Sequence, residues 1–87
     1  LYLQQASAYF VLKQFALAIE SASEGIKIDK NAPFLYCIRG DALFALKRYA
    51  EAEADYKMLV ELLPMWDAGL DRLSYAREEL SRGNASP

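Results

Sequence analysis

The sequence matches itself when displaced by 34 residues, and the match needs no gap. Tyr2 falls on Tyr36, Ala6 on Gly40, Ala8 on Ala42, Leu12 on Leu46 and Lys13 on Lys47. Phe15 falls on Tyr49, Ala16 on Ala50, Ala18 on Ala52, Ile26 on Val60 and Ile28 on Leu62. A second displacement carries the start of the pattern to Leu70, Ser74, Ala76 and Leu80. A period of this length marks a repeat in which one unit cannot bury its apolar face alone and has to stack on the next. The constraint is severe in a chain of 87 residues, because a domain of that size buries only ~60–65% of its unfolded surface.

Each unit reads as two helices. Residues 1–12 carry an apolar face through Leu1, Leu3, Ala6, Ala8, Tyr9 and Leu12, break at Lys13-Gln14, and give way to a second helix over about 15–28. Pro33 suits a first helical position, with Asn31 or Ala32 near the cap. Helix three then covers 33–46, Lys47-Arg48 forms the turn, and helix four covers 49–62 until Pro64 stops it. Asp67 opens the last helix, which is expected to end near Ser81, before Arg82-Gly83-Asn84. Trp66, just ahead of it, is expected to pack on helix four. Period-2 alternation is absent and β-branched residues are few, so no strand competes.

This pattern resembles the tetratricopeptide repeat (TPR) family. Tyr2, Ala6 and Tyr9 fit the family's large–small–aromatic spacing in a first helix, and Tyr36, Gly40 and Leu43 fit it with the last aromatic replaced. In the second helix, Phe15, Ala18 and Ala22 occupy the aromatic–Ala–aromatic slots with one ring missing, while Tyr49, Ala52 and Tyr56 fill all three. The resemblance covers residues 1 to about 81 and implies an all-α, right-handed α-solenoid of antiparallel helix pairs, five helices in all. Its units are 1–32 and 33–66, then a capping helix or half repeat over 67–82 and a flexible tail over 83–87. The small residues mark close backbone approach, and Gly25, which costs about 1 kcal/mol against Ala in mid-helix, points to the same cause.

In that family the first helix of each repeat lines a concave groove that holds a partner's peptide. The resemblance places Leu3, Ser7, Phe10 and Val11 there, then Phe34, Cys37, Ile38, Asp41, Phe44 and Ala45, then Ala68, Asp71, Arg72, Tyr75 and Glu79. The groove is apolar in the first two units and charged in the third, and contiguous exposed apolar surface marks an interaction site. One TPR subclass grips the acidic C-termini of heat-shock chaperones with a clamp of Lys, Asn and Arg. The matching slots here hold Leu3, Ser7, Ile38, Ala68 and Arg72, of which only Arg72 agrees.

Other chemistry is poorly supplied. The chain has no His, which removes Ser-His-Asp and Cys-His nucleophilic sites and the commonest metal ligand. Cys37 is the single cysteine, and Arg39, two residues along, does not face it on a helix, so it reads as an apolar core residue of a reducing compartment. Glu51, Glu53 and Asp55 alternate and spread around their helix, and the four glycines are too scattered for a phosphate loop. A net charge of −2 does not fit a nucleic-acid footprint, and the small basic edge at Lys13 and Lys47-Arg48 is diluted by Glu51 and Glu53. No apolar run reaches the ~18 residues that span a bilayer, and no secretory signal is visible.

These readings converge on a non-catalytic protein-interaction module of a larger intracellular, cytoplasmic protein. Leu1 opens directly into an amphipathic pattern, which reads as a piece of a longer chain. The expected partner is another protein or a peptide segment, with no cofactor, metal, nucleic acid or membrane. A second reading is a structural segment that stacks on neighbouring repeats or self-associates. A third, placed behind both, is a co-chaperone that binds chaperone tails.

Overall fold

Alternating polar turns and amphipathic stretches fold into a chain of five α-helices: α1 (Tyr2–Val11), α2 (Phe15–Ile28), α3 (Pro33–Ala45), α4 (Tyr49–Leu62) and α5 (Asp67–Ala85). The computed structural model describes residues 1–85. Each helix packs on the one before and the one after, and α1 also reaches α3 across the first repeat. The first four helices begin and end within one residue of the limits expected from sequence.

The fifth helix departs from expectation at its end. It runs through Gly83 to Ala85 instead of stopping near Ser81, so the start of the expected tail is helical, while Ser86 and Pro87 lie outside the described residues. A glycine ends a helix by entering the left-handed region, and no described glycine does so. The Arg82–Glu79 ion pair, 2.7 Å long and one turn apart, lies along this last stretch of helix.

The two repeat turns are built alike and without glycine. Lys13 and Lys47 take φ of 61° and 63°. Around them Lys13 N–H donates to Phe10 O and Gln14 N–H to Tyr9 O, while Lys47 N–H donates to Phe44 O and Arg48 N–H to Leu43 O. These paired bonds are Schellman closures, which satisfy the last carbonyls of α1 and α3 and reverse the chain within two residues. Between the units, Asn31 N–H donates to Asp29 Oδ1 and the Tyr36 hydroxyl to Lys30 O, fixing the longer connection to α3.

Small residues set how closely the helices approach. Ala6, Ala18, Ala22, Ala42, Ala52 and Ala76 are fully buried. A Cβ on Gly25 would lie 2.8 Å from both Leu35 Cδ1 and Tyr2 Cβ, so the mid-helix glycine lets α2 seat against α1 and α3. A Cβ on Gly40 would lie 2.6 Å from the ring of Tyr56, itself only 2% exposed.

One ion pair lies inside this packing. The Arg39 guanidinium grips Asp55 in a bidentate pair, Nε to Oδ2 at 2.8 Å and Nη2 to Oδ1 at 2.7 Å, and donates a third bond to Ser23 Oγ. It ties α2, α3 and α4 together, and the bond to Asp55 holds Arg39 above its usual pKa. Glu53 diverges from Asp55 and pairs outward with Arg77, but Glu51, one turn before Asp55, does not. It lines the same cleft as Asp55 and Arg39 while bonding Arg48, because residues four apart share a helix face.

Two glycine substitutions should act in opposite directions. Gly40→Ala forces the Tyr56 ring away and should destabilise by about 1–3 kcal/mol despite better helix propensity. Gly83→Ala meets nothing within 4 Å and should stabilise by about 0.5 kcal/mol; urea midpoints at unchanged slope report both. Asp55→Ala strands a half-buried guanidinium and should cost about 3 kcal/mol, most of which a paired Arg39→Met/Asp55→Leu replacement should restore in the same melt.

Candidate functional site

Because α1, α3 and α5 are the first helices of successive repeats, they share one face, and two clefts open along it. The first, of about 310 Å³, is lined by Leu3 and Ser7 from α1, Phe34, Cys37, Ile38 and Asp41 from α3, and Arg72 from α5. The second, of about 620 Å³, lies between α3 and α5 and is lined by Asp41, Phe44, Tyr56, Ala68, Asp71, Arg72, Tyr75 and Glu79. Asp41 and Arg72 belong to both, so the clefts adjoin at that pair.

Twelve of the fifteen groove residues expected from sequence therefore come together. Phe10, Val11 and Ala45 do not join them. The Phe10 ring turns edge-on to Phe15, centroids 5.4 Å apart, and closes its own repeat, while Val11, the last residue of α1, is 77% exposed and lines neither cleft. Phe44 makes the same edge-on contact with Tyr49 at 4.9 Å, yet still lines the second cleft, because α5 provides the opposite wall.

The polar junction is a network. Asp41 accepts the Tyr56 hydroxyl at 2.6 Å and both Nε and Nη2 of Arg72, at 2.9 and 3.3 Å. Arg72 Nη1 donates to Ala68 O at 3.3 Å, and the guanidinium lies 5.6 Å from the Trp66 ring centroid. Burial, then the bond to Asp41, pushes the Tyr56 phenol well above its usual pKa, and that same carboxylate raises Arg72. A pair 31 residues apart, on helices from different units, leaves no mark in sequence spacing. Tyr56 reads in the sequence as pure packing, yet it also forms part of the second cleft.

Trp66 belongs to this region as well. Just ahead of α5, it packs with the second unit's core, which includes Tyr56 and Leu59 of α4, and its ring lies edge-on to Phe34 of α3 at 5.6 Å. Together with Leu62, Leu63, Pro64 and Met65, these two rings line an apolar recess at the groove's edge. Among the described residues, no group of three or more His, Cys, Asp or Glu could hold a metal ion, and no helix is long and apolar enough to cross a membrane.

Cys37 forms part of the first cleft but is only 8% exposed. Burial, and then the charge of Asp41, pushes its thiol from 9.0 up to about 11. A thiol that binds its proton more tightly when folded adds stability below pH 9.0, and this is lost as pH rises through about 11. Wild type should accordingly lose more stability than Cys37→Ala between these limits in a pH series of denaturant melts. Iodoacetamide at pH 8 should label the unfolded chain readily and the native chain slowly.

Comparison with known proteins agrees with this architecture. No family model matches the chain. Human RNA polymerase II-associated protein 3 is 40% identical over 60 residues, which cover 69% of this chain and 9% of that protein. The first TPR domain of human RPAP3, solved by NMR, is 32% identical with a TM-score of 0.89, covering 98% of this chain and 68% of that one. The first TPR of Spaghetti (RPAP3) bound to the HSP90 peptide SRMEEVD is 32% identical with a TM-score of 0.89, covering 92% of this chain and 65% of that one. The chain belongs to the tetratricopeptide repeat family, and it spans less than a tenth of the curated relative's length.

Proposed function

We propose that this chain is a non-catalytic protein-interaction module that holds a segment of a partner protein along its concave face. The observation that carries the reading is the pair of adjoining clefts, in which residues from three successive first helices converge. Leu3, Phe34 and Ile38 offer apolar contact at one end, and Asp71, Tyr75 and Glu79 offer polar and aromatic contact at the other. The groove is open and its walls are already packed, so a peptide pays little to reorganise it. The setting we propose is intracellular, in keeping with a single free, buried thiol.

A second reading, the chaperone-tail adaptor, gains from the likeness to a TPR bound to an HSP90 peptide. The sequence alone ranked it last, and that comparison is the observation in its favour. Its difficulty is chemical. Of the five slots only Arg72 can grip a carboxylate, and Asp41 already occupies its fork.

Panning a random peptide library on the immobilised chain tests the first reading. Peptides retained by wild type should be lost by Ile38→Glu/Phe44→Glu, with helical circular dichroism unchanged. No retained peptide, or retention indifferent to the double substitution, argues against the groove. Binding of SRMEEVD that disappears in Arg72→Ala would establish the second reading.

A further inference from the structure

The cleft between α3 and α5 carries an unbalanced charge. Its walls hold three carboxylates, Asp41, Asp71 and Glu79, and one cation, Arg72. That cation is already paired: its Nε and Nη2 donate to Asp41 and its Nη1 to Ala68 O, so its charge is balanced within the cleft. Arg82 reaches Glu79 from beyond the cleft at 2.7 Å. Asp71 has no ion pair or hydrogen bond among the described residues and is exposed. Even with Arg82 included, the cleft therefore keeps an uncompensated negative charge.

The carboxylates are arranged around an aromatic ring. Asp71, Tyr75 and Glu79 are spaced four apart on α5 and stand in one row on its surface. Tyr75, 62% exposed, lies between the two acids, and Phe44 faces them from α3. Carboxylates beside an aromatic face suit an ammonium or guanidinium with an aliphatic stem, through charge, cation–π attraction and apolar contact together.

We propose that this cleft takes a lysine or arginine side chain of a basic peptide segment, laid over Tyr75 between Asp71 and Glu79. The proposal rests on the groove reading and specifies its partner: a segment with a cationic anchor, not an acidic tail. Phe34 and Ile38 in the adjoining cleft accept an apolar residue further along the same segment.

Fluorescence anisotropy with two labelled probes tests it, SRMEEVD and its charge-reversed counterpart SRMKKVK with an amidated C-terminus. At low ionic strength the basic probe should bind wild type about tenfold more tightly than the acidic one. Asp71→Asn/Glu79→Gln should weaken the basic probe about five- to tenfold. Glu20→Gln/Glu61→Gln makes the same change in net charge on α2 and α4 and should leave affinity within about twofold. Equal losses in both double variants would reduce the effect to overall charge and overturn the proposal. So would tighter binding of SRMEEVD, or equal binding of both probes, each of which leaves the groove reading standing. If neither probe binds and the panned library is also empty, groove and anchor fall together.

Discussion

The contact between Gly40 and the ring of Tyr56 sets the geometry on which the rest of the second unit depends. A glycine at that position lets an aromatic ring lie directly on the α3 backbone, so α4 approaches α3 more closely than two ordinary side chains allow. The ring fills the core and its hydroxyl emerges beside Asp41, one residue along from the glycine. Asp41 is thereby held in one orientation, and Arg72 of α5 docks onto it. A packing contact in the helix interface thus determines which charges the concave face can offer.

The first unit solves the same problem differently, and the difference explains the groove's polarity. Ala6 stands where Gly40 stands, Ala22 where Tyr56 stands, and Ser7 where Asp41 stands. Ala6 and Ala22 are fully buried in one cluster with Leu35. Two methyl groups close that interface, and α2 sends no counterpart of the Tyr56 hydroxyl to the groove. The cleft beside α1 is consequently shaped by Leu3, Phe34 and Ile38, with Asp41 and Arg72 only at its far edge. Apolar and charged halves of one surface follow from which small–large pair fills equivalent slots.

Much of this was legible in the sequence because a gapless repeat fixes helix number, turn positions and close-contact residues together. The limits of α2 and α4 follow directly from it, and Gly25 was rightly linked to close approach. The end of α5 was misread because Gly83 resembles a stop, while only its backbone angle decides whether it acts as one. Phe10 and Val11 were assigned to the groove by helix face alone. In the structure Phe10 turns edge-on to Phe15 within its own repeat. The Asp55–Arg39 and Asp41–Arg72 pairs join residues 16 and 31 apart. Neither separation is a helical or repeat spacing, so only the folded chain reveals them.

The Asp41–Arg72 pair also bears on the choice between the two readings of the groove. A ligand carboxylate that takes the Nε–Nη2 fork of Arg72 competes with an acceptor held in place at high effective concentration by the packed Tyr56, and without exchange it has only the second N–H of Nη1 and of Nη2. Exchange would gain little, since one charge-assisted bond replaces another, and it would leave Asp41 with the Tyr56 hydroxyl as its remaining strong donor. An approaching cation meets no such obstacle. It adds to a field that is already negative and finds Asp71 without an ion pair among the described residues, although at Glu79 it shares the carboxylate with Arg82. A carboxylate placed one residue beyond a packing glycine thus engages the one Arg of the five slots and leaves Asp71 and Glu79 to set the charge of the cleft's outer wall.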